Sequence, residues 1–385
     1  MKLLFAVDHI FTETPDGSTY TTGGKFPYSA WKSYLSVFDE IIVVSRGQKG
    51  SHVDGLARSD GPRVRFVFVP AGRGLGRIIS IRKQARAVGL AMNEADCVVA
   101  RLPCETALLA CSLARARRKP CLAEVVACAW DATWNHGSLT AKAYAPIFTW
   151  LTRQAVGRAQ AARYVTSKFL QGRYPTGGHE FSASNVILST PGRTREYCQR
   201  EHIRLGTIGA LHTKLKGIDV AMRALAELKA HDPKFSFEYR VLGEGDPTPF
   251  RELAYKLNLD GDVYFDGTRQ PGADVAAWLD GLDFYLQPSY QEGLPRALIE
   301  ALNRGLVSVG STAGGIPELL PPDRLHKPGD SAALARLIAE LATLPDKELN
   351  KESVLSFRTA QRYTIDVVTD ARLQSLKFLA SLVSQ

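Results

Sequence analysis

Short apolar runs recur along the first half of the chain: LLFAV (Leu3–Val7), IIVVS (Ile41–Ser45), VRFVFV (Val64–Val69), CVVA (Cys97–Ala100), CLAEVV (Cys121–Val126), YVTS (Tyr164–Ser167) and NVILS (Asn185–Ser189). Most are nearly continuous in apolar side chains instead of alternating, which marks strands covered on both faces, and helix-length segments separate most of them. Parallel strands joined by right-handed crossovers are therefore predicted. The rhythm restarts at RLGTIGA (Arg204–Ala210) and runs on through FEYRVLG (Phe237–Gly243), VYFDG (Val263–Gly267), DFYLQ (Asp283–Gln287) and LVSVG (Leu306–Gly310). Helical patterns close the chain at Ser331–Thr343 and Tyr363–Val383. Two doubly wound α/β domains follow, 1–200 and 201–362, meeting near the polar, turn-rich TPGRTREYCQREHI (Thr190–Ile203). In such open sheets ligands bind beyond the carboxyl ends of the strands, so the loops after each strand, facing a cleft between the domains, hold the candidates.

Composition agrees with two packed cores: 385 residues, 45% apolar and 23% charged. No run of eighteen uncharged apolar residues occurs, and MKLLFAVD at the start lacks a secretory cleavage pattern, so the expected address is the cytoplasm. Six cysteines without a CxxC pair or a histidine at ligand spacing predict small core side chains and no metal.

Charge is uneven. Residues 1–200 carry 27 Lys/Arg against 14 Asp/Glu, and 201–385 carry 21 against 25. A basic half attracts nucleic acid, an anionic membrane or a phosphorylated small molecule. No groove-reading or RNA-binding signature appears, which disfavours nucleic acid. RIISIRKQARAVGLAM (Arg77–Met92) forms an amphipathic helix that either packs on the sheet or rests on anionic lipid.

The densest chemistry follows DFYLQ, in Gln287-Pro288-Ser289-Tyr290-Gln291-Glu292-Gly293-Leu294-Pro295-Arg296. Gly293 permits close backbone approach and Pro295 suits a first helical turn, whose free N–H groups welcome a phosphate or a sugar hydroxyl. Glu292 before that helix and Glu300 inside it offer carboxylates to vicinal hydroxyls. Lys216, in a strand-to-helix loop, suits a diphosphate as a point charge. Gly209, Gly243 and the loop STAGGIPE lie after other strands, and Gly23 and Gly24 precede a helix in the first half. Arg101 follows CVVA, while Asp131 and His136 follow CLAEVV, where an acceptor enters. Gly72-Arg73-Gly74-Leu75-Gly76 misses GxGxxG spacing, which argues against a dehydrogenase, and Asp260-Gly261-Asp262 reads as a turn before VYFDG.

The run PSYQEGLPRALIEAL…GGIPEL (Pro288–Leu319), with IGALHTKLKGIDVAMRAL, VLGEGD and VYFDGT upstream, closely resembles retaining glycosyltransferase family 4. Glu292 and Glu300, eight positions apart, look like its E-x7-E signature. The resemblance covers Leu205 to about Ile338 strongly. In the first half it rests on strand order, Gly23-Gly24 and YVTSKFLQGRYP, while WDATWNHG (Trp130–Gly137) is similar to a branch of exopolysaccharide and capsule enzymes.

It implies a GT-B fold, two Rossmann-like domains facing a cleft, with the last segment, 363–385, crossing back to the first domain. It implies retaining, metal-independent transfer of a hexose from a UDP- or GDP-linked donor to a glycan or lipid-linked acceptor in cell-surface polysaccharide synthesis. No cofactor is expected, and work at the inner membrane face as a peripheral protein is an option. Glu292, Lys216 and Asp131 become the catalytic set. Glu300, Gly293, Leu294, Gly23, Gly24, Gly209, Lys214, Gly243 and Arg296 become the donor set, and Arg101 and His136 lie on the acceptor side. Family members usually carry Arg or Lys soon after the first glycine, where this chain has Ala210, with His212 or Lys214 as substitutes. A non-catalytic nucleotide-sugar-binding subunit and a nucleotide-sugar epimerase on the same fold are the alternatives.

Overall fold

Alternate residues of the first strand enter two different cores. Leu4 and Ala6 pack with Ile42, Val44, Val98 and Ala100, whereas Leu3 and Phe5 pack with Ile41, Val43, Cys97 and Val99 on the opposite face. A strand covered twice has no polar side, which is why these segments are continuous in apolar residues. The computed structural model describes residues 1–22, 25–70, 76–134, 138–198 and 201–384, with only the backbone for 76–81.

The first sheet is built from β1 (Lys2–Glu13), β2 (Thr19–Thr21), β3 (Glu40–Lys49), β4 (Ala57–Arg58), β5 (Val64–Val69), β6 (Cys97–Leu102), β7 (Cys121–Val125), β8 (Ala161–Tyr164) and β9 (His179–Ser182). Its parallel order is β5-β3-β1-β6-β7-β8-β9, and the antiparallel β2 and β4 extend one end of β1. The second sheet comprises β10 (Ile203–Ile208), β11 (Phe237–Leu242), β12 (Val263–Phe265), β13 (Phe284–Gln287), β14 (Val307–Ser311) and β15 (Leu325–His326). It is parallel throughout in the order β12-β11-β10-β13-β14-β15.

The chain divides into Met1–Asn185 with Thr369–Gln385, and Val186–Val368. The first division thus falls before the 200/201 point read from composition, because 186–198 is fastened to the second unit. Tyr197 donates to the Asp283 carbonyl and accepts from the Val307 amide, both at 2.9 Å. NVILS forms no strand, since Leu188 only bridges to Thr364. The closing helix, Ile365–Ser381, brings Leu376, Leu379 and Ala380 into the core around Leu3 and Phe5. A helix at Asp346–Ala360, absent from the sequence reading, precedes it.

Within the Gly76–Glu94 helix, Val88, Ala91 and Met92 are core residues, so this face packs on the sheet, while Arg82, Lys83, Arg86 and Leu90 are exposed. Five cysteines are buried as expected, but Cys198 is exposed.

Candidate active site

The carboxyl edge of the second sheet concentrates the polar groups. Along β13, Tyr285 and Gln287 share one face, as strand alternation requires, and Ser289 follows in the loop; all three are fully buried. A directed chain of hydrogen bonds joins them. The Ile208 amide donates to the Tyr285 hydroxyl at 3.2 Å, and that hydroxyl donates to Gln287 Oε1 at 3.0 Å. Gln287 Nε2 then donates to Ser289 Oγ at 2.8 Å and to Glu292 Oε1 at 2.9 Å. Ser289 Oγ donates to the same carboxylate oxygen at 2.9 Å, and Lys216 Nζ reaches it at 2.6 Å.

Three donors therefore converge on Oε1, while Oε2 accepts nothing from the described residues. The converging donors hold Oε1 in place.

Glycines set the distances. The Lys216 stem lies over Gly209, where a Cβ would come within 2.6 Å of Lys216 Cγ. Gly217 adopts φ +69°, and a Cβ there would stand 2.0 Å from the Pro288 carbonyl oxygen, so this turn presses directly on the loop carrying Glu292. The Tyr290 amide donates to the Leu215 carbonyl at 2.8 Å, closing the same contact. On the other side Gly314, at φ +57°, leaves no room for a Cβ beside the Glu292 carbonyl, 2.1 Å away, and the Gly315 amide donates to the Gly293 carbonyl at 2.7 Å. Gly243 packs its Cα edge against the Gly209 carbonyl.

Helix Arg296–Asn303 starts directly behind this loop, with Pro295 before its first turn. The amides of Gly293 and Leu294 make no hydrogen bond among the described residues. They stand beside the positive end of the helix dipole, an arrangement suited to an anion. Glu300 lies half-buried inside the helix with no hydrogen-bond partner among the described residues. Burial pushes its carboxyl above the ordinary range, against the opposing pull of Arg296, which is exposed. Burial also pushes the Tyr285 hydroxyl up, and the Glu292 and Glu300 carboxylates add to the shift.

Lys214 lines a cavity of about 500 Å³ with His212, Asp219 and Arg223, whose lining includes neither glutamate. In the first unit, Arg101 turns to the buried Glu124 at 2.7 Å and lies over the Phe26 ring at 5.4 Å. Asp131 is half-buried at the start of helix Ala129–Trp134, close to the Cys128 thiol. Gly23, Gly24 and His136 lie outside the described residues. Gln287 and Ser289, which hold Glu292, stand in the constellation read from the sequence but without a role there, and Tyr285, which bonds Gln287, is not part of it.

A family model described as glycosyl transferases group 1 matches residues 202–343. Protein CapJ of Staphylococcus aureus is 30% identical over 356 residues, spanning 92% of this chain and 89% of that one. The putative colanic acid biosynthesis glycosyltransferase WcaL of Escherichia coli is 35% identical over 147 residues, 36% of each chain. Among solved structures, Anabaena HepE in complex with UDP superposes with a TM-score of 0.65 at 16% identity, covering 98% of this chain and all of that one.

Proposed function

Because the chain belongs to the group 1 glycosyl transferases and has the GT-B fold, we propose that it moves a sugar from a nucleoside-diphospho-sugar to a growing surface glycan or its lipid-linked precursor, with retention at the anomeric carbon. The observation that carries this reading is the gripped Glu292 carboxylate next to Lys216, with Oε2 and two amides at a helix start unbonded among the described residues. Relatives named for colanic acid and amylovoran biosynthesis support a polysaccharide acceptor.

In this reading Glu292 Oε2 accepts from a donor-sugar hydroxyl, and Glu300 accepts from the nucleotide ribose. Lys216 and the Gly293 and Leu294 amides face the diphosphate. Departure of the diphosphate through an oxocarbenium-like state builds negative charge on the leaving oxygen, and fixed cations and amides stabilise that charge more than they stabilise the ground state. The protein's own groups meet the diphosphate, with neither metal nor cofactor assigned. The acceptor hydroxyl attacks from the face that the phosphate leaves and passes its proton to it. Asp131 and Arg101, at the carboxyl ends of the first unit's strands, are assigned to the acceptor, at the surface of a membrane.

A panel of UDP- and GDP-sugars tests the proposal, with product anomers read by proton NMR. An α-linked donor is expected to give an α-linked product. An inverted product overturns retention, and tight nucleotide binding without turnover of any donor overturns the enzyme reading.

A further inference from the structure

The helix Leu139–Gly157 leaves one apolar stripe uncovered. Its buried side presents Ala145, Phe148, Thr152 and Val156 to the first unit. The opposite side exposes Leu139 (84%), Ile147 (55%) and Trp150 (59%), with the exposed Ala143 and Pro146 completing the row. At 100° per residue these five positions fall within about a third of the helix circumference and extend for about 16 Å. Trp134, in the preceding short helix, is 41% exposed and stacks on Trp130 at 5.0 Å. Lys142 Nζ stands 5.7 Å over the Trp134 ring.

The charged residues of the helix itself are all basic, while Asp131 on the neighbouring short helix and Glu105, which accepts from the Tyr144 hydroxyl, carry the opposite sign. From 132 to 179 the sequence contains six Lys/Arg and no Asp or Glu. Lys142, Arg153 and Arg158 on or capping the helix are all exposed. Apolar side chains flanked by tryptophan and by long basic side chains that keep their heads in water match the boundary between lipid headgroups and acyl chains. No helix among the described residues is long and apolar enough to cross a membrane.

We infer that the Leu139–Trp150 stripe is the surface by which this protein lies on a bilayer of anionic phospholipid. Ile147 and Trp150 enter the headgroup region, while Lys142 and Arg153 meet lipid phosphates. The sequence reading had offered helix Arg77–Met92 for this task. In the described part of that helix Val88, Ala91 and Met92 enter the core and Leu90 is the exposed large apolar side chain, whereas Leu139–Gly157 exposes a row of them. The inference names the surface for the membrane-side acceptor proposed above but stands on the stripe alone.

The test is flotation of the full chain with vesicles of phosphatidylcholine, alone or containing about one-third phosphatidylglycerol. Without donor or acceptor, the wild type is expected to float with the anionic vesicles, and its tryptophan emission to shift to the blue. Replacing Ile147 and Trp150 together by Ser should weaken partitioning by about tenfold or more, and Lys142→Glu with Arg153→Glu should abolish the preference for anionic lipid. Trp150→Phe, a milder change, should keep flotation but remove most of the emission shift. A wild type that stays unbound, or a double-serine variant that melts normally and floats like the wild type, overturns the inference. So does a wild-type dimer in sedimentation that the serine variant converts to monomer, since the stripe would then join two copies. Vesicle binding and sugar transfer are read separately, so failure of one leaves the other standing.

Discussion

Lys216 Nζ and Glu292 Oε1 stand 2.6 Å apart although 76 positions separate them in the chain. The contact joins the loop after β10 to the loop after β13, strands that are neighbours in the sheet. It puts a cation and a carboxylate on adjacent strand ends, where one ligand with a phosphate and a hydroxyl reaches both.

Glu292→Gln keeps the size of the side chain and removes its charge. Turnover is expected to fall about a hundredfold or more, the usual cost of a lost transition-state contact, with the melting temperature little changed. Lys216→Ala should lower turnover similarly, and the double variant should lose much less than the product of the two, because each single change leaves the other group without its partner. Additive losses would separate the two residues functionally.

Glu300→Gln trades function for stability. Burial raises the carboxyl pKa in the folded state, so the folded protein holds the proton more tightly than the unfolded chain does. Stability from this group is present at acid pH and is lost as pH rises through the folded value. The variant should therefore be more stable than the wild type at pH 7, by up to about 1 kcal/mol, with the gap closing towards pH 4. Nucleotide affinity should drop at the same time. Urea melts at several pH values, alongside nucleotide titration, check both arms, and a less stable variant at pH 7 refutes the assignment.

Gly314→Ala places a methyl group against the Glu292 carbonyl in a left-handed backbone conformation. A destabilisation of about 2 kcal/mol or more is expected, together with loss of turnover, because the loop carrying Glu292 must move. Gly261→Ala, where nothing lies within 4 Å, serves as the control and should leave turnover unchanged.

Glu124 tests the first unit. Burial alone would raise its carboxyl, but Arg101, Arg163 and Arg372 outweigh that effect and hold it at about 2. Its stabilising charge is present above the unfolded value and is lost as pH falls towards about 2. Glu124→Gln leaves buried guanidinium groups uncompensated and should cost about 3 kcal/mol or more at pH 7, measured by urea denaturation.

Much of the architecture was legible in the order of apolar runs, because a strand covered on both faces tolerates few polar residues and helices must separate parallel neighbours. The strand-to-helix turns that carry Lys216, Glu292 and Glu300 were legible too, since glycine and proline mark where a strand gives way to a helix. The part that Gln287 and Ser289 play in holding Glu292 was hidden: a glutamine at a strand end looks solvent-facing until the loop folds back over it. Leu188 reads as part of a strand, yet it pairs at one residue only, because 186–198 is drawn onto the second unit.

The sequence by itself settled which residues seek burial and which local turns are open to a ligand, because hydrophobic periodicity and backbone freedom are local properties. Tertiary structure alone decided that, among the described residues, Oε1 of Glu292 meets three donors while Oε2 meets none, and that they leave the Leu139–Trp150 stripe uncovered. Both depend on which surfaces become neighbours, a matter settled by packing between segments far apart in the chain.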